Sequence, residues 1–185
     1  MSLAKKVTIF SIVIITSTTA RAGIPDGARG MNVSGGEDHT LVLTADKAVW
    51  ACGDNSYYQL GIGTAGFEPT LAQVHDGNMN TPSDYLEDIN DIDAGWKHSL
   101  ALDANGCVWA WGTNYEGQLG DNQDKYPHSA TPISVHGPNN LGYLDNIITI
   151  SAGRSGKHSL AVDANSFTWA WGRNQEGQLG NGNSG

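Results

Sequence analysis

From Asp38 onward the chain alternates apolar and polar residues with a period of two, in short runs separated by clusters of Gly, Asn and Asp, which is the pattern of β-strands and tight turns. In the stretch best suited to reading, the runs are the segment ending Ile92-Asp93-Ala94-Gly95, then His98 to Leu102, then Val108 to Trp111, then the run around Pro132 to Val135. Four short strands are therefore predicted. Asp103-Ala104-Asn105-Gly106 joins the middle pair, and Asn and Gly accept the positive φ of a short hairpin, so these strands are antiparallel neighbours. Along Val108 to Trp111 the alternation puts Trp109 and Trp111 on one face and Val108 and Ala110 on the other. Both faces are apolar, so each small sheet has to be covered on both sides, and a radial stack with bulky Trp faces against small Ala faces satisfies that requirement.

The pattern recurs. DHTLVLTADKAVWACGDNSYYQLG from Asp38, KHSLALDANGCVWAWGTNYEGQLG from Lys97 and KHSLAVDANSFTWAWGRNQEGQLG from Lys157 align along their length. His39, His98 and His158 are spaced 59 and 60 residues apart, and so are Trp50, Trp109 and Trp169, and Gly53, Gly112 and Gly172. Trp111 and Trp171 match each other, while Cys52 stands at that position in the first copy. Tyr58 likewise stands where the later copies have Gly117 and Gly177, and Arg154-Ser155 is a two-residue insertion before His158. Repeat one is the least regular of the three.

The segments SAGRSGKHSLAVD, WAWGRN and GQLGNG resemble the blade signature of the regulator-of-chromosome-condensation repeat family, over roughly residues 31 to 185. The resemblance implies an all-β fold, a β-propeller of four-stranded antiparallel blades, usually seven in number. The expected organisation is a leader over 1–22, a linker over 23–30, repeat 1 over 31–92, repeat 2 over 93–150 and an incomplete repeat 3 over 151–185. The sequence given stops just after the third GQLG, where the first two copies run on for about 30 residues. Two blades and most of a third do not close a propeller. The expectation is therefore missing C-terminal repeats or pairing with another chain, including a homo-oligomer.

The first 22 residues read separately. Lys5 and Lys6 precede a 14-residue apolar stretch from Val7 to Ala20, and Ala20-Arg21-Ala22 is an A-x-A cleavage signal. That stretch is shorter than the roughly 20 residues needed to span a bilayer, so a cleaved export signal and a periplasmic or extracellular product are expected, without stable membrane insertion. Cleavage removes Lys5, Lys6 and Arg21 and no acid, taking the formal charge from −9 to −12 and leaving seven basic against 19 acidic residues. Scattered basic residues on an acidic body do not make a nucleic-acid surface.

Candidate chemistry is sparse. The three aligned histidines, one per blade, read as structural hydrogen-bonding groups, because metal ligands must converge within about 2 Å of one centre. No metal and no cofactor are expected. Cys52 and Cys107 fall on the Trp-type face of successive blades, which points them the same way around the stack, so both are expected unpaired and buried. The acids between Asp84 and Asp93, with Asp121 and Glu116, read as solvated loops, and no catalytic motif is present. A hydrolase or lyase using Asp121 or Glu116 is the alternative from the enzyme class, and a structural fragment of a longer repeat protein is the third reading.

The loops carry the positive lead. The residues before the aligned histidines include Trp96, Lys97, Arg154 and Lys157, and the turns after the Trp strands include Tyr57, Tyr58, Tyr115 and Glu116. Successive blades present equivalent loops side by side, and Trp, Tyr and Arg anchor interfaces, so these residues form the candidate site for a protein or glycan partner. The resembled family includes intracellular nucleotide-exchange factors and secreted enzyme-inhibiting propellers, but no exchange motif matches residue by residue here. The exported product should begin at Gly23. Intact mass of the protein recovered outside the cytoplasm checks this, and a species retaining Lys5 and Lys6 would contradict it.

Overall fold

In a computed structural model the described residues are 12–15, 19–22, 30–77, 84–122, 127–153 and 156–184. Within the predicted leader, β1 (Ile12–Ile15) and β2 (Thr19–Ala22) pair as an antiparallel ribbon. The first blade is a meander of β3 (Gly30–Gly35), β4 (His39–Thr44), β5 (Val49–Asn55) and β6 (Gly66–Gln73), hydrogen-bonded in chain order. The second repeats it with β7 (Ile89–Ala94), β8 (His98–Asp103), β9 (Val108–Thr113) and β10 (His128–Ser134). The third has three strands, β11 (Ile147–Ser151), β12 (His158–Asp163) and β13 (Thr168–Gly172). Among the described residues the only helical element is a 3-10 turn at Pro138–Asn140, and no helix is long and apolar enough to cross a membrane. The four strands expected between Ile89 and Val135 are where the alternation put them.

Two apolar layers lie between the blades. The first joins Leu41, Leu43, Val49 and Ala51 of blade one to Ala101, Trp109 and Trp111 of blade two. The second joins Leu100, Leu102, Val108 and Ala110 of blade two to Ala161, Trp169 and Trp171 of blade three. The large indole faces thus rest on the small Ala faces, and Trp111 is 0% exposed. Period-two alternation accounts for this directly: each middle strand offers one face to the blade before it and the other to the blade after it.

Each layer is closed by the same polar latch. His39 Nε2 lies 2.9 Å from Ser99 Oγ, and Ser99 donates its proton to the Gln59 carbonyl at 2.7 Å, which Trp111 Nε1 also reaches at 2.9 Å. At the next layer His98, Ser159, Gln118 and Trp171 repeat the arrangement at 3.0, 2.9 and 2.9 Å. A serine has one proton to give, so each histidine must donate through its Nε2–H, and burial, which lowers the basicity of both rings, keeps them neutral at pH 7. His39 and His98 are therefore buried hydrogen-bond donors one blade apart. Gly53, Gly112 and Gly172 are required at the blade end: at Gly112 (φ +98) a Cβ would lie 2.6 Å from the Lys97 carbonyl, which accepts the Thr113 N–H.

Two expectations change. Asp91 and Asp93 are not solvated loop acids, because both lie on β7 beside the neighbouring inner strands. Asn32 donates to Asp91 at 3.0 Å, while Asp93 receives Ser34 Oγ–H of blade one at 2.7 Å and the Ala152 N–H of blade three at 2.7 Å. One carboxylate thereby ties three blades. Both cysteines are unpaired, but only Cys52 is buried and Cys107 is half-buried, since it sits one residue before β9 in the hairpin loop.

The hairpin loops explain why repeat one is irregular. Asp103 accepts the N–H groups of Asn105 and Cys107 and, through its second oxygen, the Trp109 indole at 3.2 Å. Asp163 does the same for Asn165, Phe167 and Trp169. Burial works to raise the Asp163 carboxyl, but these donors outweigh it and hold it below the ordinary carboxylate range. Repeat one has Thr44 there, whose hydroxyl donates to the Ala48 carbonyl at 2.9 Å and leaves buried Trp50 Nε1 without a partner.

Thr44→Asp restores that acceptor and should raise folding stability by about 1 kcal/mol, read as an upward shift of the denaturation midpoint. The latch histidines set an acid limit. Burial lowers His39 from 6.5 to about 4, against the pull of Asp54, and lowers His98 from 6.5 to about 3, assisted by the neighbouring His39 and His158. The unfolded chain binds the extra protons first, so this stability is complete above pH 6.5 and is lost as pH falls toward 4 and 3. Denaturation midpoints should drop from pH 7 to pH 5, and His98→Gln should flatten that dependence.

Candidate functional site

Two loops per blade meet at one end of the stack because the strand pair between them holds them together. The N–H groups of Asp54, Thr113 and Arg173, at the ends of the third strands, bond to the carbonyls of Asp38, Lys97 and Lys157, just before the second strands. The turn after each third strand is stiffened by its own side chains. Asn55, Asn114 and Asn174 accept the N–H groups of Leu60, Leu119 and Leu179, and Gln59, Gln118 and Gln178 accept those of Tyr57, Glu116 and Glu176. The scaffold residues of the repeat thus hold the variable positions 57, 116 and 176 in one orientation.

Six of the eight predicted binding residues come together as a continuous circuit across three blades. Lys97 Nζ lies 4.7 Å from the Tyr57 ring centre and 5.1 Å from that of Trp96, and Lys157 Nζ lies 4.3 Å from Trp96 on the other blade. These are within the roughly 6 Å over which an aromatic face attracts a cation. Lys157 also faces Glu116 at 3.8 Å, and the adjacent Tyr115 meets Tyr57 edge to face at 6.5 Å. Tyr115 is 66% exposed. Trp96 is therefore held between two ammonium groups from neighbouring blades.

The other two predicted residues do not join. Tyr58 turns away to stack on His128 at 4.7 Å, a contact that follows from its left-handed backbone (φ +64) at a position the other repeats give to Gly. Arg154 lies outside the described residues. Two contributors escaped the sequence reading. Arg173 faces Glu176 at 3.5 Å on the same rim, and Asp54 feels the charge of Lys97. Burial would raise the Asp54 carboxyl, but hydrogen bonds from Ser56 and Gln59 and the Lys97 charge outweigh it and hold it low. Glu116 is engaged by Lys157 and Asp121 accepts the Asn114 amide at 2.8 Å, so each carboxylate has its own partner. Among the described residues no group of three or more His, Cys, Asp or Glu is placed to hold a metal ion.

A model of the regulator of chromosome condensation (RCC1) repeat matches residues 46–102 and 105–162, and a second model of this repeat matches 32–59 and 89–118. Human probable E3 ubiquitin-protein ligase HERC6 is 37% identical over 87% of this chain and 14% of its own length. The ultraviolet-B receptor UVR8 of Arabidopsis thaliana is 30% identical over 86% of this chain and 44% of its own. The chain thus spans less than half of each of these relatives. Among solved structures, human WBSCR16 superposes with a TM-score of 0.69 at 19% identity, covering 86% of this chain and 36% of that one. Prp20p of Saccharomyces cerevisiae, whose structure was described with its binding properties to Gsp1p and histones, gives 0.66 at 22% identity over 83% and 35%.

Proposed function

The chain belongs to the regulator of chromosome condensation (RCC1) repeat family, and on that premise we propose that it is an exported interaction module that binds a protein through its loop face. The circuit of Tyr57, Trp96, Lys97, Tyr115, Glu116 and Lys157 carries this reading. A rigid strand-and-turn frame that places an indole near two cations, beside the half-buried Tyr57 and the exposed Tyr115, is the composition of an interface anchor. The charge of −12 on residues 23–185 sets the alternative of a polyphosphate partner aside. Prp20p is a protein binder on the same fold, which supports the class of activity while leaving this partner open. Export rests on the Lys5-Lys6, apolar run and A-x-A order at the N-terminus.

Trp96→Ala tests the proposal, since it removes the ring against which Lys97 and Lys157 are both ordered. Affinity for the partner captured by photo-crosslinking at Tyr115 should fall about thirtyfold, the effect of losing a Trp anchor, with the denaturation midpoint unchanged. Capture that is indifferent to Trp96→Ala and to Tyr57→Ala, or capture of glycans alone, would remove the protein-binding reading.

A further inference from the structure

The residue that follows the blade-end glycine differs from blade to blade: Asp54, Thr113 and Arg173 follow Gly53, Gly112 and Gly172. In blade one it completes a closed set of bonds. Gln59 accepts the Tyr57 N–H through Oε1 and donates through Nε2 to Asp54 Oδ2 at 2.8 Å, and Asp54 feels the charge of Lys97 from the next blade. Blade two keeps every member of that set except the carboxylate. Gln118 accepts the Glu116 N–H in the same way at 2.9 Å, so its Nε2 is turned toward residue 113, where blade two has a threonine. Gln118 is 0% and Thr113 1% exposed, and among the described residues neither Gln118 Nε2 nor Thr113 Oγ1 has a hydrogen-bond partner. Lys157 stands to Gln118 as Lys97 stands to Gln59. A Cβ on Gly172 would lie 2.7 Å from the Lys157 carbonyl and 3.1 Å from Gln118 Cα, and one on Gly112 would lie 2.6 Å from the Lys97 carbonyl and 3.2 Å from Gln59 Cα.

We propose that Thr113, Gln118 and Lys157 form a subsite for a carboxylate, which the protein partner supplies from an Asp or Glu side chain set in the place that Asp54 fills in blade one. An amide N–H, a hydroxyl and an ammonium all donate, and blade two gives them no common acceptor. A buried donor without an acceptor is destabilising, and an anion removes that penalty where another donor does not. A carboxylate offers two oxygens, enough for Gln118 Nε2 and Thr113 Oγ1 with Lys157 closing over it. Glu116 does not take this place: it faces Lys157 at 3.8 Å, beyond hydrogen-bond length, and reaches neither Gln118 Nε2 nor Thr113 Oγ1. The Lys157 and Glu116 side chains are 29% and 26% exposed, so the partner's acid enters from the rim between them. The subsite rests on the loop face being a protein-binding surface, and it adds what that partner must carry, an acidic side chain beside whatever packs on Trp96.

The probes are sodium acetate, its neutral counterpart acetamide, and the peptide acetyl-Gly-Glu-Gly-amide, each titrated into the whole chain while the Gln118 side-chain amide is followed by NMR. Acetate and the peptide should shift that resonance saturably, and acetamide should leave it in place. Thr113→Asp installs the acid of blade one and Lys157→Gln removes the cation, and each should weaken both anionic probes about tenfold, the effect of losing a charge-assisted hydrogen bond. Because Thr113→Asp fills the subsite from within, it should also raise the denaturation midpoint, which separates a filled site from a damaged fold. Trp96→Ala should leave acetate binding intact, so failure of the Trp96 anchor and failure of this subsite are read independently. Equal shifts with acetamide and acetate, undiminished binding in Thr113→Asp, or no saturation at about 100 mM acetate would overturn the subsite. Acetate binding without peptide binding would overturn its assignment to a partner's side chain.

Discussion

Two backbone carbonyls hold this arc of blades together. Gln59 and Gln118 end the third strand's turn, and each receives a serine hydroxyl and an indole N–H from the following blade, with a histidine of its own blade completing the latch. Apolar burial supplies most of the attraction between blades but is indifferent to sliding. The latch is directional: a displacement of an ångström would strand a buried donor on each side. That requirement explains why His, Ser, Gln and Trp recur at fixed spacing. It also explains the neutral imidazoles, since a charged ring in this dry layer would lack a counter-charge.

The frame decides where variable residues point. Because the turn after each third strand is fixed by its Asn and Gln, substitutions between them change chemistry without moving the backbone. Ser56-Tyr57-Tyr58, Tyr115-Glu116-Gly117 and Gln175-Glu176-Gly177 are three answers to one geometry. The circuit around Trp96 is the product of that variation, and Tyr58 shows its other outcome, a ring recruited to cover the outermost strand of the next blade.

Departures from the repeat are equally informative. On the face of blade one turned away from blade two, Thr40, Val42 and Cys52 stand where the later blades carry Ser, Ala and Trp, and the Cys52 side chain lacks the indole N–H with which Trp111 and Trp171 reach a preceding carbonyl. Thr44 in place of Asp leaves Trp50 Nε1 unsatisfied. Blade one keeps the full His-x-Leu-x-Leu pattern toward blade two, so its apolar strand face on that side is regular.

The sequence by itself determined the strands, their pairing and their two-sided burial, because period-two alternation and turn residues act over a few positions, and the register of three copies multiplied that local signal. It also pointed to the loops that converge. What it left to the tertiary structure were matters of reach between blades: Asp93 read as one acid of a solvated cluster until the inner strands brought Ser34 and Ala152 to it. Tyr58 read as a neighbour of Tyr57 until its backbone twisted it onto His128. Which of two adjacent side chains meets a partner 60 residues away depends on backbone twist and on what fills the space between blades, and neither is written in the local pattern.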